Sequence, residues 1–126
     1  MLLVKTYLAA SPIHGVGVFA GEFIKKGTPV WTFDPTIDIV LTEEQVKALP
    51  KAATEFVYNV AVPYPFGADN YCIPVDNAKY MNHDIDCNVS SENPTNIALK
   101  DIPEGMELTV NYYEEDHRED EGDFKK

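Results

Sequence analysis

Three stretches of this chain carry residue types that could do chemistry. They are Ser11-Pro12-Ile13-His14-Gly15-Val16-Gly17-Val18-Phe19-Ala20, Tyr80-Met81-Asn82-His83-Asp84-Ile85-Asp86-Cys87-Asn88, and Glu107-Leu108-Thr109-Val110-Asn111-Tyr112. Gly15-x-Gly17 is a common turn device, but no third glycine opens a helix behind it, which excludes the dinucleotide-binding fingerprint. Asp84-x-Asp86-x-Asn88 starts like a calcium loop. The sixth position then needs glycine and holds Val89, and the twelfth needs glutamate and holds Thr95, so that reading fails. His83 with Asp84 and Asp86 could ligate a metal, yet His14 and His117 sit in unrelated segments, and no metal site is expected. Cys87 and His83 could pair as nucleophile and base, but both lie in one loop with no third group to orient them.

The elements that must position these stretches are short. Leu3 to Ala9 alternates as a strand, and Ser11 to Gly15 is a turn-rich loop. Val16 to Ala20 is a second strand, interrupted by Gly17, where glycine marks a bulge or the close approach of another group. Lys25-Lys26-Gly27-Thr28 turns the chain into a strand over Pro29 to Phe33, and Ile37 to Leu41 is extended. Thr42-Glu43-Glu44-Gln45 is a capping box that starts a helix running to Leu49, where Pro50 stops it. Lys51 to Tyr58 is a second helical stretch, with Phe56 expected as its core anchor. Val60 to Phe66 carries two prolines and reads as edge strand or loop. A β-prone Tyr71 to Val75, a helical turn over Asp76 to Met81, and strands over Asn96 to Leu99 and Glu107 to Tyr112 complete the pattern. The expectation is a single domain, mainly β, with one or two short helices in the middle.

Composition narrows the class. Nine prolines and seven glycines in 126 residues favour short elements and turns over a helical bundle. No apolar run approaches the roughly 18 residues that span a bilayer, so no membrane partner is expected. The first residues lack a basic region followed by a long apolar stretch, so no signal peptide is expected either. That leaves cytoplasm, or the nucleus in a eukaryotic host, as the expected compartment. The net charge is −11, and the last thirteen residues, with seven acids and three bases, contribute −4 of it. The body is therefore acidic too. Such a field disfavours direct nucleic-acid binding and attracts cationic partners, including lysine-rich peptides. Cys72 and Cys87 form no Cys-x-x-Cys pair and are expected as free, partly buried thiols.

Taken in order, the three stretches resemble the SET-domain family of protein lysine methyltransferases, over about Leu3 to Glu114. The family opens with Gly-x-Gly-Val-Phe-Ala, here Gly15 to Ala20. It continues with Arg-Phe-x-Asn-His-Ser-Cys-x-Pro-Asn, here Lys79 to Asn88. It closes with Gly-Glu-Glu-Leu-Thr, two variable residues and Tyr, here Gly105 to Tyr112. The resemblance implies a β-rich, β-clip-like fold of several small sheets with a C-terminal pseudoknot. It implies a SET domain over residues 1–115 and an acidic, flexible tail over 116–126.

The resemblance also implies an activity: methyl transfer from S-adenosylmethionine to a lysine of a basic, histone-tail-like protein. By the same route Tyr112 is the catalytic tyrosine and Tyr58 a lining of the lysine channel. The cofactor would lie against His14, Gly15, Val16 and Gly17, with Tyr80 walling its pocket. Asn82 would bond its amino-acid end, and His83 would present backbone groups to its adenine. Lys79 stands where the family usually has arginine, Asp84 where serine is frequent, and Cys87 where proline is frequent. Cover for the lysine channel would come from Tyr113, Phe124, the acidic tail or a second subunit, so a homodimer is one arrangement to expect. The altered Asn-His loop motivates an alternative, a catalytically weak SET-like module that binds basic peptides.

Overall fold

The computed structural model describes residues 1–63, 70–91 and 94–111. Its elements in chain order are β1 (Thr6–Ala10), β2 (Val16–Ala20), β3 (Pro29–Thr32), β4 (Ile39–Thr42), α1 (Glu43–Lys47), α2 (Lys51–Val60), β5 (Val62–Pro63) and β6 (Asn70–Ile73). A 3-10 turn over Asn77–Tyr80 follows, then β7 (Asn82–His83), β8 (Thr95–Ile97) and β9 (Glu107–Val110). Among the described residues these make three small sheets, ordered β1-β2-β9-β7, β3-β8 and β4-β6-β5. The mainly-β expectation, with small sheets and two short helices, holds. Tyr112, Tyr113, the tail over 116–126 and the segment that would carry the pseudoknot lie outside the described residues.

Strand β9 organises the first sheet. It runs antiparallel to β2, with Val18 opposite Leu108 and Phe19 opposite Glu107. On its other side it runs parallel to β7, with Asn82 opposite Thr109 and His83 opposite Val110. Alternate side chains of β9 therefore face opposite ways. Leu108 and Val110 are buried in the main core with Val18, Ala20, Ile24, Val30, Val89 and Ile102. Glu107 and Thr109 face the other side, level with Gly17 and Asn82.

The second core sits under the helices. The Thr42 hydroxyl accepts from Gln45 N at 3.1 Å, and the Gln45 side chain accepts from Thr42 N at 2.8 Å, so the capping box read from the sequence caps α1. The Thr54 hydroxyl donates to Val46 O at 3.0 Å and ties α2 to α1 across Pro50. Val46, Val57, Ala61 and Tyr71 form the buried cluster.

Several expected details shift. Phe56 is not the anchor of α2: it is 47% exposed, whereas Val57 is 4% exposed. One residue turns a helix by about 100°, and the narrow strip of α2 that meets α1 and β6 takes the neighbour instead. The first strand starts at Thr6, not Leu3, because Leu2 and Leu3 turn toward β3, with Leu3 N donating to Val30 O at 2.8 Å. The strand expected over Asn96 to Leu99 is Thr95–Ile97, since Ala98 leaves it to bridge Val89 and to bond Thr28 O. No helix of the described residues is long and apolar enough to cross a membrane.

Candidate functional site

The Ser11–Gly15 loop joins β1 to β2 and closes on itself through Ser11 N and Gly15 O at 2.8 Å. Gly15 lies at φ +45°, a left-handed conformation that side chains with a Cβ resist. A Cβ there would meet nothing within 4 Å, so the backbone angle explains this glycine. Gly17 is different. A Cβ at that position would stand 2.3 Å from Glu107 Oε2, so the glycine makes room for the protein's own carboxylate.

That carboxylate gathers the three stretches. The Ser11 hydroxyl reaches both of its oxygens, at 2.9 and 2.8 Å. Asn82 Nδ2 donates to Glu107 Oε2 at 2.9 Å, and also faces His14 O at 3.0 Å and Val16 O at 3.2 Å. Asn82 is 6% exposed, so its amide is withdrawn from bulk water while these acceptors satisfy its donor side. No described residue donates to its Oδ1. Ser11 Oγ in turn accepts from Ile13 N at 2.9 Å, which holds the loop's turn.

Asn88 locks the Asn-His loop onto β9. Its Nδ2 donates to Glu107 O at 2.8 Å, and its Oδ1 accepts from Thr109 N at 2.9 Å. Val89 N adds a bond to Thr109 O, and Asp84 N one to Val110 O, both at 3.0 Å. The strand that leads to Tyr112 is thus bonded along its length to the loop that carries Asn82 and His83. A cavity of about 290 Å³ opens beside Glu107 and Thr109, walled by Ile13, Asp84, Asp86 and Lys100.

The other candidates are spread more widely. His14 and Gly15 are exposed on the loop, Val16 is exposed at the start of β2, and Gly17 after it is buried. His83 is half-buried on β7. Tyr80 is 37% exposed, and the Lys79 ammonium stands 5.0 Å from its ring centroid. Lys79 Nζ also donates to Val75 O at 3.1 Å. Tyr58 packs on the second cluster, its ring 5.5 Å from that of Tyr71, and not among the residues bonded around Glu107. Tyr112 is outside the described residues.

Sequence reasoning missed Glu107 and Ser11 as members of this site. Glu107 lies in one of the three chemistry-bearing stretches but carries no individual role there, and nothing in its neighbours announces a contact with a serine 96 positions earlier. The signal that could have found it is the pairing of an interior strand glycine with a carboxylate on a later strand. Elsewhere burial pushes the Cys72 thiol up to about 12, with the nearby Asp38 carboxylate acting in the same direction.

Comparison with known proteins adds the following. A family model described as the SET domain matches residues 15–113. No curated protein sequence matches. Among solved structures, a Plasmodium falciparum chain provisionally named a histone methyltransferase is similar at TM-score 0.58 and 19% identity, over 88% of this chain and 95% of that one. A humanized mutant of the Chaetomium thermophilum Polycomb Repressive Complex 2 is similar at TM-score 0.65 and 21% identity, over 90% of this chain and 15% of that one. The Neurospora SET domain protein DIM-5, a histone lysine methyltransferase, is similar at TM-score 0.59 and 20% identity, over 88% of this chain and 53% of that one. At such identities the likeness is one of fold.

Proposed function

This chain belongs to the SET-domain family, and from that premise we propose that it is a protein-lysine N-methyltransferase acting with S-adenosylmethionine on a basic, histone-like protein. The observation that carries the reading is the convergence of the glycine loop, Asn82 and β9 on one another through Asn82 Nδ2 and the Glu107 carboxylate. Three stretches far apart in sequence meet at one place, which is what a shared donor site requires.

The residues fit the cofactor. With its Nδ2 turned to protein acceptors, Asn82 offers the oxygen of its amide to a cationic group, which suits the ammonium of an amino-acid end. The loop at His14, Gly15 and Val16, the β7 position of His83 and the ring of Tyr80 complete the residues that would hold it. When bound, S-adenosylmethionine supplies an electrophilic methyl on a sulfonium sulfur.

The chain's own part is binding, orientation and desolvation. A free lysine has a pKa of about 10.4 and is protonated at neutral pH. An apolar channel disfavours its charged form, and so leaves the nitrogen lone pair available. Tyr112 is two positions beyond Val110, the residue paired with His83. Its hydroxyl would orient the amine, and alignment of the reacting atoms accounts for much of the barrier lowering. The acidic body, net −7 outside the last thirteen residues, favours encounter with lysine-rich protein.

The test is transfer of radiolabelled methyl from S-adenosylmethionine to histones or to a proteome extract. Tyr112→Phe is expected to lose transfer and keep cofactor binding by calorimetry. Wild-type protein that labels nothing overturns the assignment. One observation favours a second reading, a peptide-binding module with weak catalysis. At the position where the resemblance expects an arginine fork, Lys79 directs its ammonium to Val75 O and the Tyr80 ring. A ligand that binds only the folded state raises its melting temperature. No rise with S-adenosylmethionine would favour this second reading.

A further inference from the structure

Glu107 was given no role toward the cofactor above, yet its carboxylate bonds both the first residue of the glycine loop, Ser11, and Asn82. Its carboxylate accepts from Ser11 Oγ and Asn82 Nδ2 and fills the space above Gly17. We infer that Glu107 is a positioning residue, which fixes both the orientation of the Asn82 amide and the turn of the Ser11–Gly15 loop for the cofactor; this rests on the methyltransferase reading.

The argument is one of donors and acceptors. An ionised carboxylate only accepts. Asn82 Nδ2 carries two hydrogens and faces three oxygens, those of His14, Val16 and Glu107. If the amide flipped, its own oxygen would face all three, and one of them is charged. The flipped state is therefore repelled, and Oδ1 is held away from the loop. Ser11 has a single hydroxyl proton, and Glu107 takes it. The lone pairs of Ser11 Oγ are thereby left for Ile13 N at 2.9 Å and His14 N at 3.4 Å. The same loop supplies His14 O, which Asn82 bonds. Glu107 thus sets the proton direction at two residues whose shared product is the shape of the loop.

A glutamine at this position keeps the size and breaks the logic. With its amide oxygen at the Oε2 position it accepts from Ser11 and Asn82 only as a neutral, weaker acceptor, and its NH2 then faces Ser11 Oγ, already accepting from Ile13 N. With the amide reversed, its NH2 faces Asn82 Nδ2, already a donor. Ser11→Ala, by contrast, removes the hydroxyl and leaves the carboxylate on Asn82. The two variants therefore separate orientation of Asn82 from general loosening of the loop.

The experiment has two arms, each after circular dichroism confirms the fold. In the first, NMR of ligand-free protein follows hydrogen exchange of the Asn82 side-chain NH2. Glu107→Gln is expected to speed it about tenfold or more, the loss of a charge-assisted bond, while Ser11→Ala leaves it near wild type. Unchanged exchange in Glu107→Gln, or equal acceleration in both variants, overturns the inference. In the second, steady-state kinetics compare KM values. Glu107→Gln is expected to raise KM for S-adenosylmethionine about tenfold and to leave KM for the peptide nearly unchanged. Equal rises in both KM values, or none, overturn it. Wild-type protein that neither binds nor uses S-adenosylmethionine defeats the methyltransferase reading and the role toward the cofactor. The exchange arm then decides alone whether Glu107 orients Asn82.

Discussion

Gly17→Ala is the sharpest probe of how the site is built. The added Cβ would stand 2.3 Å from Glu107 Oε2, 2.9 Å from its Cδ and 3.0 Å from Ser11 Cβ. The backbone at Gly17 does not need a positive φ, so the clash alone decides the outcome. Backbone cannot yield easily in a strand paired on both sides, so the carboxylate must move. It is held by Ser11 and Asn82 at 2.8–2.9 Å. Hydrogen bonds to a charged group are worth about 1.5–3 kcal/mol each. Water recovers part of that loss at a half-buried carboxylate, and alanine lowers the entropy of the unfolded chain by about 0.4–1 kcal/mol in the opposite sense. The net cost is about 2–4 kcal/mol, a fall in Tm of about 10 °C for a domain of this size. In a Glu107→Ala background the obstruction is gone, and Gly17→Ala should cost under about 1 kcal/mol. Thermal and urea denaturation of the four proteins, followed by circular dichroism, measures the coupling. Gly17→Ala that destabilises both backgrounds equally, or neither, refutes the reasoning.

The helix α2 offers a second check: Val57→Ala should lose about 1–3 kcal/mol, while Phe56→Ala, on an exposed side chain, loses less than Val57→Ala by urea denaturation. Thiol reactivity offers a third. Cys72 is fully buried with its pKa raised to about 12, so at pH 8 a chromogenic disulfide reagent should label Cys87 first, and Cys72 only on unfolding. The sign follows from linkage: a thiol whose pKa is higher folded than unfolded adds stability below its ordinary value of 9.0, and that contribution fades as pH rises toward 12.

Much was legible in the residue order, because it depends on local rules. Thr42 and Gln45 cap α1 through neighbours three apart. Proline and glycine punctuation bounds the short strands. The spacing within each of the three stretches was enough to name the family, which the match over residues 15–113 bears out. What the order could not express is contact across long separations. Which residue of α2 turns inward, Val57 or Phe56, depends on the face that α1 and β6 leave open. Why Gly17 is glycine depends on a carboxylate ninety positions later, and that carboxylate arrives only because β9 slots between β2 and β7. Local propensity acts over a few residues, whereas the hydrogen-bond partners of Glu107 exist only once the sheet has closed around it.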